Sequence, residues 1–487
     1  MNIVEPILYQ CKLNPWDVAI CVPGSPLESI TYGRLEKFIH NIARTALGGD
    51  LRPGHVVALH VRDVILHAPL IYGLARAGMA SVSLRDTTIP GGISVDAIIT
   101  DAPRLFPPGQ KVIVVDSTWL MGDGRAPNYD RLFQSSDDHL CLISLTSGSA
   151  CAPKGVAFTH KLLSERIFGY LYGKGARFQQ CSRLFCDLGI GTPAGIRYAT
   201  YMLLRGGTVY FLGDDPAAIL QHLDLHKIQG MATSPYGLGE FVKYFERDSA
   251  FECGFDHIIC QGAMLSKELS ERVRARMCPS LYSSYGATET GTVAFGPASV
   301  LAEIPGAVGY VGPGVTVEIL DKSGVHLPFG REGAIRIRTP DLAHGYVGDE
   351  QATQSAFRDG YFYSGDIGYV TADRILVITG REKTIMNLGG DSVNPETIET
   401  VLRGYNGIEQ AAVLSMNNEL GIGQVYALIV AKSAVDLSAL TAYCKAKMTE
   451  LWVPRRFFVV DDIPKGAQGK IERHRLPDIA KMKMAGQ

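Results

Sequence analysis

The chain has 487 residues, which is too long for one ordinary domain and predicts roughly three packed units. Its 46% hydrophobic and 20% charged residues are enough to bury a sizeable core, so a disordered or fibrous protein is excluded. Lys and Arg number 47 against 49 Asp and Glu, and the net charge of −2 provides no overall field to hold a nucleic acid or an anionic membrane.

Hydropathy and cysteine spacing predict a cytoplasmic protein. No apolar run is long enough to span a bilayer, and the start MNIVEPILYQCK lacks the basic-then-apolar order of a signal peptide. None of the ten cysteines forms a CxxC pair or lies at ligand spacing from a histidine, so a structural zinc site is not expected. We therefore expect reduced, mostly buried thiols.

Short β-rich runs alternate with amphipathic helical stretches, a pattern typical of layered α/β domains. The clearest predicted strands are 55–61, 111–116, 208–212 and 257–262, and the clearest predicted helices are 31–47, 65–78 and 266–277. From about residue 308, shorter strands with Gly and Pro turns predict a compact β unit. A second α/β segment follows this β unit. We therefore place a domain boundary near Arg381–Lys383, which divides the chain into 1–382 and 383–487.

A polar, glycine-containing loop, LTSGSACAPKGVAFTH at 145–160, follows the apolar run CLISL. Its hydroxyls and backbone N–H groups suit phosphate oxygens, and Lys154 adds a positive charge. It is not a Walker A loop, because Pro153 stands where the second glycine is needed. Taken alone, such a loop is more often an ordinary surface turn.

A second glycine-rich segment resembles a dinucleotide-binding turn. Gly189, Gly191 and Ala194 follow a strand-like run and open a helix, with Asp214 downstream. In isolation this pattern would predict a nicotinamide-dependent oxidoreductase. Pro193 removes an N–H group from the turn that should hold the pyrophosphate, so a tight structural turn is the favoured interpretation.

Isolated polar residues in the later part of the chain have side chains that suit the parts of a nucleotide and its metal ion. Glu289 suits a hard cation such as Mg²⁺, and Tyr285 suits stacking on a flat base. Asp366 suits ribose hydroxyls, and Arg381 offers a rigid fork for oxygens. Lys470 lies on a glycine-flanked turn near the C-terminus, where an exposed tail is the default interpretation. Spacing alone does not bring these residues together.

In chain order, six segments resemble the motifs of the adenylate-forming superfamily, which comprises acyl- and aryl-CoA ligases, adenylation domains and luciferases. They are LTSGSACAPKGV, YGATE, YSGD, GREK, GGDSVNPETIE and PKGAQGKIERHRL. With TYGRLEKFIHNIA and LRPGHVVAL near the N-terminus, the resemblance covers nearly the whole chain. It implies an α/β fold with a large N-terminal domain of layered α/β subdomains plus a small β unit, followed by a small mobile α+β C-terminal domain.

The resemblance also implies an ATP site. The residues that would cradle the triphosphate are Thr146, Ser147, Gly148, Ser149 and Lys154. The residues that would line the adenine are Gly262, Ala263, Tyr285 and Gly286. The polar contacts expected of the other motifs are Thr288 with phosphate, Glu289 with Mg²⁺, Asp366 with ribose, and Arg381 with ribose or phosphate.

Further residues would act on the acid and on the thiol. By resemblance, Lys470 bridges the substrate carboxylate and the α-phosphate, and Lys383 is the hinge of the C-terminal domain. Gly389 and Gly390 would leave a narrow passage for the pantetheine arm of CoA. ATP and CoA are thus the expected cosubstrates.

The sequence identifies the acid substrate less precisely than it identifies the nucleotide. The residues that we expect to line the acyl pocket are Gly191, Thr192, Tyr236 and Met264. Asp187 lies too early to clamp an α-ammonium group, which disfavours an α-amino acid. The small residues around Thr192 leave volume, and we predict an aryl or medium-sized aliphatic acid.

Three functions remain open at this point. An acid–CoA ligase is favoured, and the alternative is an adenylating enzyme that loads a carrier-protein phosphopantetheine thiol. A non-catalytic binding homologue is least favoured, because Glu289, Asp366, Arg381 and Lys470 are all retained. Members of the superfamily often form dimers, so a homodimer is compatible with the resemblance.

The phosphate loop departs from the superfamily pattern at Ala150 and Cys151, where a hydroxyl and a glycine are usual. We expect the Cys151→Gly variant to bind ATP no worse than the parent, because it restores the usual residue. Titration calorimetry with ATP measures this. A marked loss of affinity would mean instead that Cys151 is adapted to this loop.

Overall fold

The computed structural model describes most of the chain. The described residues are 2–25, 27–84, 86–121, 136–146, 153–173, 176–212, 216–247, 254–301, 303–381, 386–388, 391–393, 395–417, 423–448, 450–466 and 469–485. Contacts between Cα atoms divide them into two compact units. The first unit takes its residues from 1–147, 152–317 and 337–362, and the second takes its residues from 318–336 and 363–487.

The first unit contains twelve of the α-helices that the structure describes. These helices are α1 Glu5–Leu13, α2 Tyr32–Gly48, α3 Val64–Arg76, α4 Thr118–Met121, α5 His160–Gly173, α6 Ala176–Gln180, α7 Pro193–Leu204, α8 Pro216–Leu225, α9 Pro235–Arg247, α10 Lys267–Arg276, α11 Ala298–Leu301 and α12 Glu350–Ala356.

The strands of the first unit come in two groups. The strands in order are β1 Val18–Cys21, β2 Ser29–Thr31, β3 Val56–His60, β4 Ala80–Ser83, β5 Ala97–Thr100, β6 Val112–Val114, β7 Leu140–Leu145, β8 Gly155–Thr159, β9 Arg183–Cys186, β10 Thr208–Tyr210, β11 Gly230–Thr233, β12 His257–Gln261, β13 Leu281–Ala287, β14 Gly291–Pro297 and β15 Ala307–Val311. One group forms a six-stranded sheet in the order β6-β5-β3-β4-β7-β8. The other follows the order β15-β14-β13-β12-β11-β9-β10-β1-β2.

In the second group, β10, β9, β11, β12 and β13 run parallel to one another in that order. Parallel strands are buried on both faces, which explains the continuous apolar runs that predicted them. Their carboxyl ends all lie at one edge of the sheet. In open parallel sheets this edge is where ligands bind.

Helix α2 illustrates how the sequence builds the layers. Thr31 caps the helix, because its side chain accepts a hydrogen bond from the backbone N–H of Arg34. Its apolar residues recur at helical spacing, and the resulting face is buried in the core through Leu35, Phe38 and Ile42.

Among its described residues, the second unit contains three α-helices and strands of 3 to 10 residues. Its elements, some of which begin or end in the first unit, are β16 Thr316–Leu320, β17 Gly333–Arg338, β19 Tyr361–Val370, β20 Ile375–Arg381, β21 Met386–Leu388, β22 Asp391–Val393, α13 Pro395–Arg403, β23 Ile408–Asn417, β24 Gly423–Ala431, α14 Leu437–Lys447, β25 Arg456–Val459 and α15 Leu476–Ala485. Strand β18 Phe357–Arg358 of the first unit precedes β19. Strands β16, β17, β19 and β20 are neighbours in that order, and β23, β24 and β25 form a three-stranded sheet.

The predicted α/β class is confirmed, because the chain combines helices with several sheets. The helix predicted at 31–47 is Tyr32–Gly48, and the strand predicted at 257–262 is His257–Gln261. The division at Lys383 stays a prediction, because that residue lies outside the described ranges. Among the described helices, none is long and apolar enough to cross a membrane. The eight cysteines of the described residues are buried and form no disulfide.

A buried ion pair joins two segments of the second unit. Glu399 of α13 is 2% exposed, and its carboxylate accepts hydrogen bonds from Arg473 at 2.7 and 3.0 Å. The backbone N–H of Val413 in β23 also donates to Glu399 Oε1, at 2.9 Å. Arg473 in turn donates to the Val413 carbonyl. The pair therefore connects α13, β23 and the chain that precedes α15.

Replacing Arg473 by Met should destabilise the protein by about 3–5 kcal/mol, because it leaves the Glu399 carboxylate buried without its cation. Urea unfolding followed by fluorescence measures the loss. The matched control is Arg475→Met, since Arg475 is 59% exposed and pairs with the nearby Glu472, a contact worth less than about 1 kcal/mol. Equal unfolding midpoints for the two variants would contradict this account of the pair.

Candidate active site

Most of the predicted adenine and acyl residues lie at the carboxyl edge of the parallel strands. Gly191 and Thr192 follow β9, and Tyr236 follows β11. Gly262, Ala263 and Met264 follow β12, and Thr288 and Glu289 follow β13. Because β9, β11, β12 and β13 are consecutive parallel neighbours, segments that are up to about a hundred residues apart in the chain emerge side by side.

The YGATE segment ends β13 and begins the turn to the antiparallel strand β14. Gly286 is required there, since an added Cβ would lie 1.9 Å from the carbonyl oxygen of Gly291. The turn is closed by the backbone N–H of Ala287, which donates to Thr290 Oγ1 at 3.2 Å. Glu289 is consequently held at the tip of the turn and is 7% exposed.

Arg166 of α5 fixes the position of this turn. Sequence analysis did not identify Arg166 as a site residue. Its guanidinium donates to the carbonyl of Thr288 at 2.5 Å, to that of Glu289 at 2.6 Å and to that of Asp341 at 3.0 Å. Burial lowers the pKa of Arg166 to about 10, and the Asp341 carboxylate at 3.6 Å opposes that shift. The side chain therefore stays charged at neutral pH and fixes the backbone that carries the Glu289 carboxylate.

Tyr346 also contacts Glu289, on the carboxylate itself. The Tyr346 hydroxyl donates to Glu289 Oε1 at 2.7 Å, and Lys154 Nζ lies 4.7 Å from the centre of the Tyr346 ring. Backbone bonds hold this arrangement, since the N–H of Val347 donates to the carbonyl of Gly155 at 2.8 Å. The predicted metal ligand and the predicted phosphate-binding lysine thus share one neighbour.

The phosphate loop is described only at its two ends. The N–H of Thr146 donates to the Lys154 carbonyl at 2.9 Å, and the N–H of Lys154 donates to Thr146 Oγ1 at 3.1 Å. These two bonds close the neck of the loop between β7 and β8. Ser147, Gly148 and Ser149 lie outside the described residues, as does Cys151.

The predicted adenine-binding segment after β12 is exposed and begins with a glycine that has a positive φ. Gly262 has φ +94°, which favours glycine, and an added Cβ there would meet open space. Gln261, the last residue of β12, accepts hydrogen bonds from Arg197 at 2.9 Å and from the Tyr198 hydroxyl at 3.2 Å. Ala263 lies in the loop after β12, and the half-buried Tyr285 lies within the neighbouring strand β13.

The structure uses Thr192 as the N-cap of α7. Its hydroxyl accepts from the N–H of Gly195 at 2.9 Å and donates to the Leu188 carbonyl at 2.7 Å. Tyr236 and Met264 are 54% and 45% exposed. Their contribution to an acyl pocket stays a prediction.

Behind Gly191 lies a buried polar pair that sequence reasoning missed. An added Cβ at Gly191 would be 3.2 Å from Ser83 Cβ and 3.4 Å from His67 Cε1. Burial lowers the pKa of His67 to about 4, so the ring is neutral. Its Nδ1 donates to the Val61 carbonyl at 3.0 Å, which leaves Nε2 to accept from the Ser83 hydroxyl at 2.9 Å.

In the second unit, Asp366 of β19 and Arg381 of β20 are register partners. Arg381 Nε donates to Asp366 Oδ1 at 2.8 Å, and Asp366 is only 4% exposed. Ser364 supports the carboxylate position, because its hydroxyl accepts from the N–H of Asp366 at 3.1 Å. The two residues predicted to contact ribose are therefore already paired.

Lys470 lies within the electrostatic field of this pair. Burial lowers the pKa of Lys470, and the positive charge of Arg381 lowers it further. The carboxylates of Asp366 and Glu396 act in the opposite direction and stabilise the ammonium group. The second unit thus brings Lys470, Asp366 and Arg381 together and adds Glu396, which the sequence did not single out. Lys383, Gly389 and Gly390 lie outside the described residues.

Glu289 suits a magnesium ion that is shared with a nucleotide. Mg²⁺ in nucleotide sites is usually bound by one or two carboxylates together with phosphate oxygens. Among the described residues there is no group of three or more His, Cys, Asp or Glu side chains placed to hold a metal by itself. Glu289 is a single buried carboxylate with one oxygen fixed by Tyr346, which fits a site where the magnesium ion is shared with a nucleotide.

The chain belongs to the AMP-binding enzyme family, whose model matches residues 9–347. A second model, the AMP-binding enzyme C-terminal domain, matches residues 397–470. The predicted membership of the adenylate-forming superfamily is thereby confirmed.

Curated relatives match over nearly the full length of both chains. A feruloyl-CoA synthase from Amycolatopsis sp. is 27% identical over 483 residues, which are 95% of this chain and 96% of the relative. A 2-succinylbenzoate–CoA ligase from Listeria monocytogenes is 24% identical and covers 96% and 97%. Among solved structures, the o-succinylbenzoate CoA synthetase of Bacillus subtilis with its acyl-adenylate intermediate has a TM-score of 0.84 at 20% identity, covering 97% of each chain. That similarity supports the fold.

Proposed function

We propose that this protein is an AMP-forming acid–CoA ligase that activates an aryl or medium-sized aliphatic carboxylic acid. The observation that carries the proposal is the Thr288–Glu289 turn, which Arg166 and Tyr346 hold at the carboxyl edge of the parallel strands. In the second unit, the Asp366–Arg381 pair and Lys470 would supply the groups for ribose and for the reacting carboxylate. The names of the relatives agree with CoA as the thiol.

In the first step, the substrate carboxylate attacks the α-phosphorus of ATP and pyrophosphate leaves, which gives an acyl-adenylate. The protein assists by positioning the reactants and by stabilising charge on the phosphate oxygens. Thr146, Lys154 and Thr288 would hold the phosphates, and Asp366 would accept from ribose hydroxyls. The Lys470 ammonium would sit between the carboxylate and the α-phosphate. Bound Mg²⁺ would neutralise phosphate charge, with Glu289 as its protein ligand.

In the second step, the thiol of CoA attacks the carbonyl carbon of the adenylate, and AMP leaves as the thioester forms. Lys470 serves only the first step in this scheme. A C-terminal unit that rotates about Lys383 would withdraw it and let the thiol approach past Gly389 and Gly390. Domain motions commonly complete a catalytic site or limit the overall rate of an enzyme.

The choice of an aryl acid rests on small residues and on the relatives' names. Gly191, backed by Ser83 and His67, leaves the start of α7 without a bulky side chain. The feruloyl group and 2-succinylbenzoate, which these names contain, both carry an aromatic ring. A carrier-protein thiol is the alternative acceptor, because it would use the same activation residues.

We expect AMP release from ATP and Mg²⁺ that depends on an acid and rises on addition of CoA. A panel of aryl and aliphatic acids, each with and without CoA, identifies the substrate class. Pyrophosphate release without CoA stimulation would favour a carrier protein. Lys470→Ala should slow acid-dependent pyrophosphate release by roughly 10²–10³-fold, because one charge-stabilising group is lost.

The matched control is Lys481→Ala, since Lys481 is exposed on α15. It should leave pyrophosphate release unchanged. Thioester formation from a supplied acyl-adenylate should be far less sensitive to Lys470→Ala than pyrophosphate release. Equal losses in the two half-reactions would argue against a role confined to the first step, and no activity with any acid would count against the ligase itself.

The alkaline limb of the pH profile of pyrophosphate release should report the charge of Lys470. Its pKa is lowered by burial and by Arg381, so the rate should fall at a lower pH than for an ordinary lysine. Glu396→Gln removes a carboxylate that raises this pKa, and the limb should move to still lower pH. Lys470→Arg keeps its charge and should abolish the limb, at a reduced rate.

The control for this profile is Glu409→Gln, which removes an exposed carboxylate of β23. Its profile should coincide with that of the parent. A Glu396→Gln limb at the parental pH would show that Glu396 does not act on Lys470 during the reaction.

A further inference from the structure

Tyr346 lies outside all six motifs, yet the structure fixes it firmly between two segments of the first unit. Its backbone pairs with Val156 of β8 in an isolated bridge, and its N–H donates to Thr353 Oγ1 at 2.9 Å. Its ring packs edge-on against Phe357 at 5.5 Å between centroids. Both the backbone and the ring are therefore held by contacts that do not involve a ligand.

The remaining two contacts of the side chain are with predicted ATP-binding groups. The hydroxyl lies 2.7 Å from Glu289 Oε1, and Lys154 Nζ lies 4.7 Å from the ring centre. An ionised carboxylate only accepts hydrogen bonds, so Tyr346 is the donor. Burial raises the pKa of Tyr346, and the neighbouring Glu289 raises it further, so the hydroxyl keeps its proton at neutral pH.

We infer that Tyr346 is a positioning residue for ATP·Mg²⁺, which presets the Glu289 carboxylate for the cation and the Lys154 ammonium for the phosphates. The inference rests on the proposed function, because it assumes that ATP·Mg²⁺ binds here. Its physical basis is preorganisation. A hydrogen bond to one carboxylate oxygen fixes the rotation of the group and directs the second oxygen to the cation.

The ring provides the second half of the arrangement. A lysine side chain is flexible, and an aromatic face beneath its ammonium group restricts where the charge lies. Since Arg166 fixes the backbone of Glu289 and Tyr346 fixes its carboxylate, the turn and its side chain are held independently. Outer partners of metal ligands of this kind typically change metal affinity by 10–100-fold when they are removed.

The test is ATP binding by titration calorimetry, without any acid substrate, in a series of Mg²⁺ concentrations and in excess chelator. Tyr346→Phe keeps the ring and removes only the hydroxyl. It should raise the Mg²⁺ concentration for half-maximal enhancement of ATP affinity roughly tenfold, with metal-free ATP affinity unchanged. Tyr346→Leu removes the ring as well and should also weaken metal-free ATP binding, because the Lys154 ammonium loses its aromatic neighbour.

A double-variant cycle separates positioning from general damage. In a Glu289→Gln background the metal carboxylate is gone, so adding Tyr346→Phe should change the Mg²⁺ dependence no further. Tyr310→Phe, which removes a hydroxyl from an exposed tyrosine of β15, is the matched control and should bind like the parent. Thermal unfolding of each variant without ligand verifies that it is folded.

Three results would overturn the inference. A Tyr346→Phe variant with the parental Mg²⁺ dependence would refute it and leave the proposed function standing, as would an equal effect of Tyr346→Phe with and without the Glu289 carboxylate. A parent protein that binds no ATP at any Mg²⁺ concentration would refute the proposed function and the inference together.

Discussion

The candidate site depends on one buried guanidinium. Arg166 places a positive charge beneath the Thr288–Glu289 turn and binds three backbone carbonyls, with the Asp341 carboxylate nearby. Removing such a charge from water costs several kcal/mol, about what good hydrogen bonds and a nearby carboxylate can offset. Only arginine offers donors in a rigid fork that can reach several carbonyls at once, so lysine would not replace it. The hydrogen bonds that offset the cost of burying Arg166 are therefore the same bonds that fix the turn.

Compensation of buried charge also explains why the charged groups of the second unit lie close together. Asp366 and Arg381 neutralise each other across paired strands, and Glu396 and Lys470 add a second pair of opposite charges nearby. A lysine beside an arginine would lose its proton more easily, and the two carboxylates counteract that tendency. Both carboxylates therefore oppose the loss of the Lys470 proton, and one of them, Asp366, is also the residue predicted to bind ribose.

Much of the architecture could be predicted from the sequence, because it follows from local patterns. Helix α2 shows helical spacing with a Thr31 cap, and β12 is a short, mostly apolar run that is followed by a glycine. Arg166 and Tyr346 could not be predicted in this way. They reach their partners across 122 and 57 residues of chain, and only the folded sheets bring those segments together. Motif patterns identify groups that touch a ligand, whereas the groups that hold them in place lie elsewhere in the chain.

The glycine-rich segment after β9 shows why a pattern of glycines is weak evidence for a nucleotide. Gly189 has φ +69°, and an added Cβ at Gly195 would lie 1.8 Å from the Gly189 carbonyl oxygen. Thr192 caps the helix and Pro193 occupies its first turn, so this part of the dinucleotide-like pattern has a structural cause within the turn. Gly191 is the exception, because its close neighbours are Ser83 and His67 from other elements. The glycine at position 191 is therefore explained by close packing between elements and not by the turn itself.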